Sequence, residues 1–205
     1  VSIPPEYGGQ GGDVVLLGIA IEEIAKKDIS LCYLLLLPTV GYLALLTAQD
    51  RGLLEEWVPK AVRGEATCCF ALTEPEAGAD AAGIRMRAVR EGDSYVLNGE
   101  KTSITMGYEA DHGIIFAKTD PAAGIRGITC IWVPLSLPGV SRSRLPHTGM
   151  KGVGACSLIF EDVRVPVANR CGEEGKGFYI FGDIVNYQRC WVALSALGAA
   201  QGALE

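Results

Sequence analysis

Thr67-Cys68-Cys69-Phe70-Ala71-Leu72-Thr73-Glu74-Pro75-Glu76-Ala77-Gly78-Ala79-Asp80 decides the fold: a β-type run ends in a threonine, and an acidic turn with a glycine follows. Short runs of the same texture, separated by Gly, Asp, Asn and Pro, continue to about Pro166, the pattern of a sandwich or barrel. Candidate strands are Thr67–Leu72, Ile84–Arg90, Ser94–Asn98, Gly113–Lys118, Gly127–Val133 and Cys156–Glu161. The segment Ile84-Arg85-Met86-Arg87-Ala88-Val89 alternates apolar and basic residues, which predicts one buried and one wet face. Glu91-Gly92-Asp93 supplies one hairpin turn and Asn98-Gly99 another, so an antiparallel domain is expected.

On the N-terminal side the pattern is helical. Asp13 is placed to cap a segment whose apolar positions include Leu16, Leu17, Ala20, Ile21, Ile24 and Ala25, with Glu22, Glu23, Lys26 and Lys27 opposite. Ile29 to Gln49 carries no charge and is long enough for a membrane span. Pro38, Thr39 and Gly41 interrupt it and no Lys or Arg anchors its ends, so two buried helices separated by a proline break are expected. Another helix, from Leu53, carries Trp57 and Val58 and ends near Arg63-Gly64. On the C-terminal side, Gly175 to Glu205 is helical again, and Ala193, Ser195, Ala196, Gly198, Ala199, Ala200 and Gly202 would let another helix approach closely. No capping Gly or Pro closes that helix, so it reads as cut. The expected fold class is α+β, multi-domain: an N-terminal α-helical segment (1–65), a central antiparallel β-barrel or sandwich (66–170) and the start of a C-terminal helical bundle (171–205).

Composition limits the function classes. The 205 residues, 49% apolar and 20% charged, describe a foldable globular chain. A net charge of −6 with no basic run argues against a nucleic-acid surface. The seven cysteines show neither a C-x-x-C pair nor a zinc spacing and read as buried thiols of a reducing compartment. No basic, apolar leader pattern opens the chain, so secretion is not expected. His112 and His147 stand alone and suggest neither catalysis nor a metal.

Three stretches carry a family resemblance: Ala71 to Asp80, then Asn98-Gly99-Glu100-Lys101-Thr102-Ser103-Ile104-Thr105, then Phe160-Glu161-Asp162-Val163-Arg164-Val165-Pro166. Ile3-Pro4-Pro5-Glu6-Tyr7-Gly8-Gly9 and His147-Thr148-Gly149-Met150-Lys151-Gly152 add support in the right order. Together they resemble the acyl-CoA dehydrogenase family, flavoproteins of fatty acid metabolism. The resemblance implies FAD against the β-domain and α,β-dehydrogenation of an acyl-CoA thioester: a carboxylate takes the α-proton and flavin N5 takes the β-hydride. It implies that Phe70, Leu72 and Thr73 face the isoalloxazine ring, and that the turn through Gly78 and Ala79 approaches the pyrophosphate. Ser103, Ile104 and Thr105 would lie at the ring edge, with the Thr105 hydroxyl near N5. Ala79, Val153 and Arg189 would meet substrate, Arg189 at the thioester and CoA end. Flanked by Ile184-Val185 and Cys190-Trp191-Val192, Arg189 is expected to be buried with an anionic or carbonyl partner.

The chain also departs from the family pattern. Ser103 stands where many relatives have an aromatic, Ala79 and Val153 where many have serine, and Gln188 where one branch has its glutamate base. No catalytic residue is therefore assigned within the chain, and in the larger branch the carboxylate comes from a later helix, beyond Glu205. An electron-transfer flavoprotein is implied as electron acceptor, with a homotetrameric parent and a cytoplasmic location, or the mitochondrial matrix in a eukaryote. Neither membrane nor nucleic acid is expected as a partner. Flavin oxidase or monooxygenase chemistry on the same fold, and a non-catalytic scaffold, stay open beside dehydrogenation.

Overall fold

A computed structural model describes residues 1–205. Three helices come first, α1 (Val14–Ala25), α2 (Cys32–Leu45) and α3 (Arg51–Val62). Eight strands follow: β1 (Cys68–Ala71), β2 (Arg87–Glu91), β3 (Ser94–Thr105), β4 (His112–Lys118), β5 (Ile128–Pro134), β6 (Val140–Leu145), β7 (Ala155–Pro166) and β8 (Arg170–Cys171). The last element is α4 (Gly177–Leu204). No helix is long and apolar enough to cross a membrane.

The Asp13 carboxylate accepts from Leu16 N at 2.8 Å, satisfying one of the donors that a helix start leaves free. The expected break at Pro38 does not occur, since α2 runs through it. A proline inside a helix costs about 3 kcal/mol. Leu36, Leu37, Val40 and Leu45 are all buried on either side of it, and each contributes about 1.5–3 kcal/mol, so packing outweighs the break. Leu16, expected on the inner face of α1, is instead exposed, and Leu17, Ile21 and Ala25 are buried.

The strands form one sheet in the order β6-β7-β3-β2-β4-β5-β8. It is mixed rather than antiparallel: β1 runs parallel to β4, with Phe70 opposite Ile114. Side-chain alternation divides the core in two. Ile114 and Phe116 of β4 and Cys130 and Trp132 of β5 point to the helices, while Ile115, Ala117, Ile131 and Val133 point to the second core, within the β-domain. The first cluster also takes in Leu17 and Ile21 of α1, Leu54 and Trp57 of α3, and Ile184 and Trp191 of α4. Helices from both ends of the chain thus share one core with the sheet.

Three local expectations need correction. The strand expected from Ile84 begins at Arg87, because the amides of Arg85 and Met86 donate to the Glu74 carboxylate instead of a neighbouring strand. Asn98-Gly99 is not a turn but lies inside β3, at a bulge. Gly99 has φ +143, and a Cβ there would meet Met86 Cα at 2.9 Å, so close backbone approach is what requires the glycine. Of the seven cysteines, all free, Cys190 is exposed on the outer side of α4 and the rest are buried. The expected small-residue contact on α4 is made by α1: a Cβ at Gly198 would lie 2.2 Å from Glu22 O, and one at Gly202 would lie 2.0 Å from Lys26 O.

Candidate functional site

A cavity of about 400 Å³ opens where β1, the end of β3, α2 and α4 meet. Its wall contains Phe70, Leu72, Thr73, Gly78, Ala79, Ser103, Ile104 and Thr105, which brings two motifs separated in sequence onto one surface. Tyr33, Leu36 and Leu37 from α2 and Phe181, Val185, Gln188 and Val192 from α4 complete most of the remaining wall. An apolar cleft with a few convergent hydroxyls is the usual form of a small-molecule site.

The aromatic side of the cavity is built by packing. The Phe70 ring lies 5.1 Å from Phe116 and 6.1 Å from Phe181, spacings at which tilted rings attract. β1 is held under α2 by the Cys68 thiol, which donates to Leu37 O at 3.2 Å. Complete burial pushes the Cys68 pKa well up, so this thiol stays protonated and structural.

Polar groups fix the two motifs to one another. Thr102 N donates to Thr73 O at 2.9 Å, and Lys101 Nζ donates to Leu72 O at 2.9 Å and to the Glu74 carboxylate at 2.8 Å. Lys101 has no exposed surface and Glu74 keeps 7% of its own. Burial pulls the Lys101 pKa from 10.5 down to about 8, with Glu74 opposing the shift through its charge and its hydrogen bond. After this pair the strand bulges between Lys101 and Ile104, and Ser103 sits there at φ +57. Thr73 and Thr105 are half-buried at the cavity wall, while Gly78 and Ala79 are exposed. Nothing lies within 4 Å of where a Gly78 Cβ would be, so the space over this turn is open.

Two expected residues lie elsewhere. Val153 lines an adjoining cavity of about 270 Å³ with His147 and Met150, joined to the first through Thr105. Arg189 is exposed, contrary to the expected burial, and forms no hydrogen bond or ion pair. α4 turns its Ile184, Trp191, Ser195 and Gly198 inward, and one residue after Gln188 the helix has rotated by about 100° away. The α2 wall and the Lys101–Glu74 pair were not foreseen. Tyr33, Leu36 and Leu37 read as ordinary core leucine-rich helix, and no spacing rule links a lysine and a glutamate so far apart in sequence.

Comparison with known proteins identifies the family. The family profile "Acyl-CoA dehydrogenase, N-terminal domain" matches residues 1–65, and "Acyl-CoA dehydrogenase, middle domain" matches 69–163. The chain is 38% identical to cyclohex-1-ene-1-carbonyl-CoA dehydrogenase of Syntrophus aciditrophicus, with 99% of this chain and 50% of that protein covered. It is 39% identical to the caffeyl-CoA reductase-Etf complex subunit CarC of Acetobacterium woodii, covering 100% of the chain and 55% of that protein. The solved structure of butyryl-CoA dehydrogenase from Megasphaera elsdenii superimposes with a TM-score of 0.94 at 36% identity, over 99% of this chain and 55% of that one. The chain spans about half the length of the curated relatives it matches. With both profiles in register along one fold, the chain belongs to the acyl-CoA dehydrogenase family.

Proposed function

We propose that the protein carrying this chain is an FAD-dependent acyl-CoA dehydrogenase and that the cavity described above takes the flavin ring and the acyl group. The observation that carries this reading is the convergence of Phe70-Leu72-Thr73 and Ser103-Ile104-Thr105 on one apolar cleft. The residues present fit a flavin. Phe70, Leu72 and Ile104 offer apolar contact to a flat ring, the Thr73 and Thr105 hydroxyls can donate to its heteroatoms, and the uncrowded turn at Gly78 and Ala79 leaves backbone amides free for phosphate.

When bound, FAD supplies the two-electron acceptor for the β-hydride. The protein residues bind, orient and exclude water. Thr73 is held by the bond from Thr102 N to its carbonyl, so its hydroxyl points from a fixed backbone. The Phe70 and Phe181 rings together form an apolar part of the cavity wall. Arg189 stays a substrate-contact proposal, which needs the side chain to swing from solvent onto the thioester or CoA end, and Val153 one for the adjoining cavity. An electron-transfer flavoprotein is proposed as the acceptor of the electrons, supported by the Etf complex in one relative's name.

Reconstitution tests the cofactor. Adding FAD to a full-length protein should give an oxidised-flavin spectrum and a higher melting temperature, because a ligand that binds only the native state stabilises it. Absence of both rules the cofactor out.

A further inference from the structure

We propose that Lys101, held by Glu74, is a positioning residue that sets the two hydroxyl-bearing segments of the cavity wall in register before any cofactor arrives. The inference rests on the FAD reading and adds residues to it that contact neither ring nor substrate.

The geometry supports it in three steps. First, one ammonium joins both motifs. Lys101 belongs to β3, and its Nζ reaches Leu72 O at 2.9 Å and Glu74 Oε1 at 2.8 Å, the residues on either side of Thr73. Second, the pair is committed elsewhere on its own side too. The Glu74 carboxylate accepts from Arg85 N and from Met86 N at 3.0 Å, which ties the turn to the segment entering β2. Glu74 N and Ala77 O, and Ala77 N and Glu74 O, close the turn that leads to Gly78. Third, the β3 bulge that turns Ser103 and Thr105 toward the cavity starts at Lys101. A charge pair with 0% and 7% exposure is a costly way to obtain stability, since apolar replacement of such pairs is often neutral or stabilising. Its value lies in fixing one arrangement, because an ammonium with two acceptors in a closed space tolerates little displacement of Thr73 relative to Thr105.

The test is a double variant, Lys101→Met with Glu74→Gln, in a full-length protein carrying this chain. Removing both charges together avoids stranding one of them. The variant should still fold, melting below the unsubstituted protein because Glu74→Gln leaves one acceptor oxygen where Arg85 N and Met86 N each use one. It should bind oxidised FAD about tenfold and reduced FAD about a hundredfold more weakly, giving a flavin potential about 30 mV more negative, the equivalent of that tenfold difference for a two-electron couple. A folded variant with unchanged FAD affinity and potential would mean that the pair serves only the fold, and would overturn the inference. If the variant does not fold, amide exchange on the unsubstituted protein decides. The Thr102 amide, bonded to Thr73 O, should be as protected before FAD is added as after. Protection that appears only with FAD would show that the cofactor, not the pair, orders the wall. Failure of the unsubstituted protein to bind FAD at all is a different result: it sinks the cofactor reading itself and this inference with it.

Discussion

Ser103 has φ +57, a region that a residue with a side chain enters at a cost of roughly 1–2 kcal/mol. The bulge between Lys101 and Ile104 imposes that conformation and exposes the side chain at the cavity mouth. Ser103→Gly should therefore leave stability nearly unchanged or slightly raised, the relief of strain offsetting the greater freedom of the unfolded chain. Ser103→Val, stiff at χ1, should lower it by about 1–2 kcal/mol. Ser103→Trp would place an aromatic at the proposed ring edge and should slow FAD loss despite the same backbone strain. Melting curves and FAD release rates measure both effects, and a Trp variant that releases FAD as fast as the serine protein would remove Ser103 from the ring edge. That the position faces the site was legible from the motif; its left-handed backbone was not, because serine rarely adopts it and no glycine marked the place.

At the level of elements, α1 and α4 meet where glycine leaves room. A methyl at Gly198 would press on Glu22 O at 2.2 Å and on the Ala25 Cβ at 2.8 Å. Ala is the better helix former by about 1 kcal/mol, yet overpacking costs typically 1–3 kcal/mol. Gly198→Ala should therefore destabilise by about 1–2 kcal/mol, and urea unfolding would show it. A stabilised variant would mean that α1 is free to move away. The small-residue stripe was readable in the sequence as a helix contact, but not its partner. The same limit explains α2: composition and Pro38 suggested two helices, while the burial of Leu36, Leu37 and Val40 that carries the helix through the proline depends on packing against α3, β1 and the distant α4, which the local sequence does not show. The strands were legible as β-type runs between turn residues, except where a tertiary contact took over. Glu74 captures the amides of Arg85 and Met86 and shortens β2. β6, none of whose six residues is buried, left no apolar run to read.

At the scale of the whole molecule, the cavity lies between a β-domain wall and two helices that share its core, and its chemistry is as informative for what it holds as for where it lies. The sixteen residues around it include hydroxyls at Thr73, Thr105, Ser103 and Tyr33 and one amide, Gln188, but no Asp, Glu or His. The nearest buried carboxylate on the β side, Glu74, is engaged by Lys101 and two backbone amides. Breaking the α-C–H bond of a thioester needs a base within hydrogen-bond reach, and an amide cannot accept that proton. We therefore expect that these 205 residues, even when loaded with FAD, do not reduce the flavin with any acyl-CoA. Gln188→Glu should change this, because it puts a carboxylate on the cavity wall beside Val185 and Val192 without altering the backbone. Anaerobic mixing with a panel of acyl-CoA thioesters, followed by flavin absorbance, decides between the two forms. Slow bleaching by the glutamate variant and none by the glutamine chain is the expected result. Rapid bleaching by the glutamine chain would show that a base outside the cavity wall reaches the substrate, and that the reading of Gln188 is mistaken.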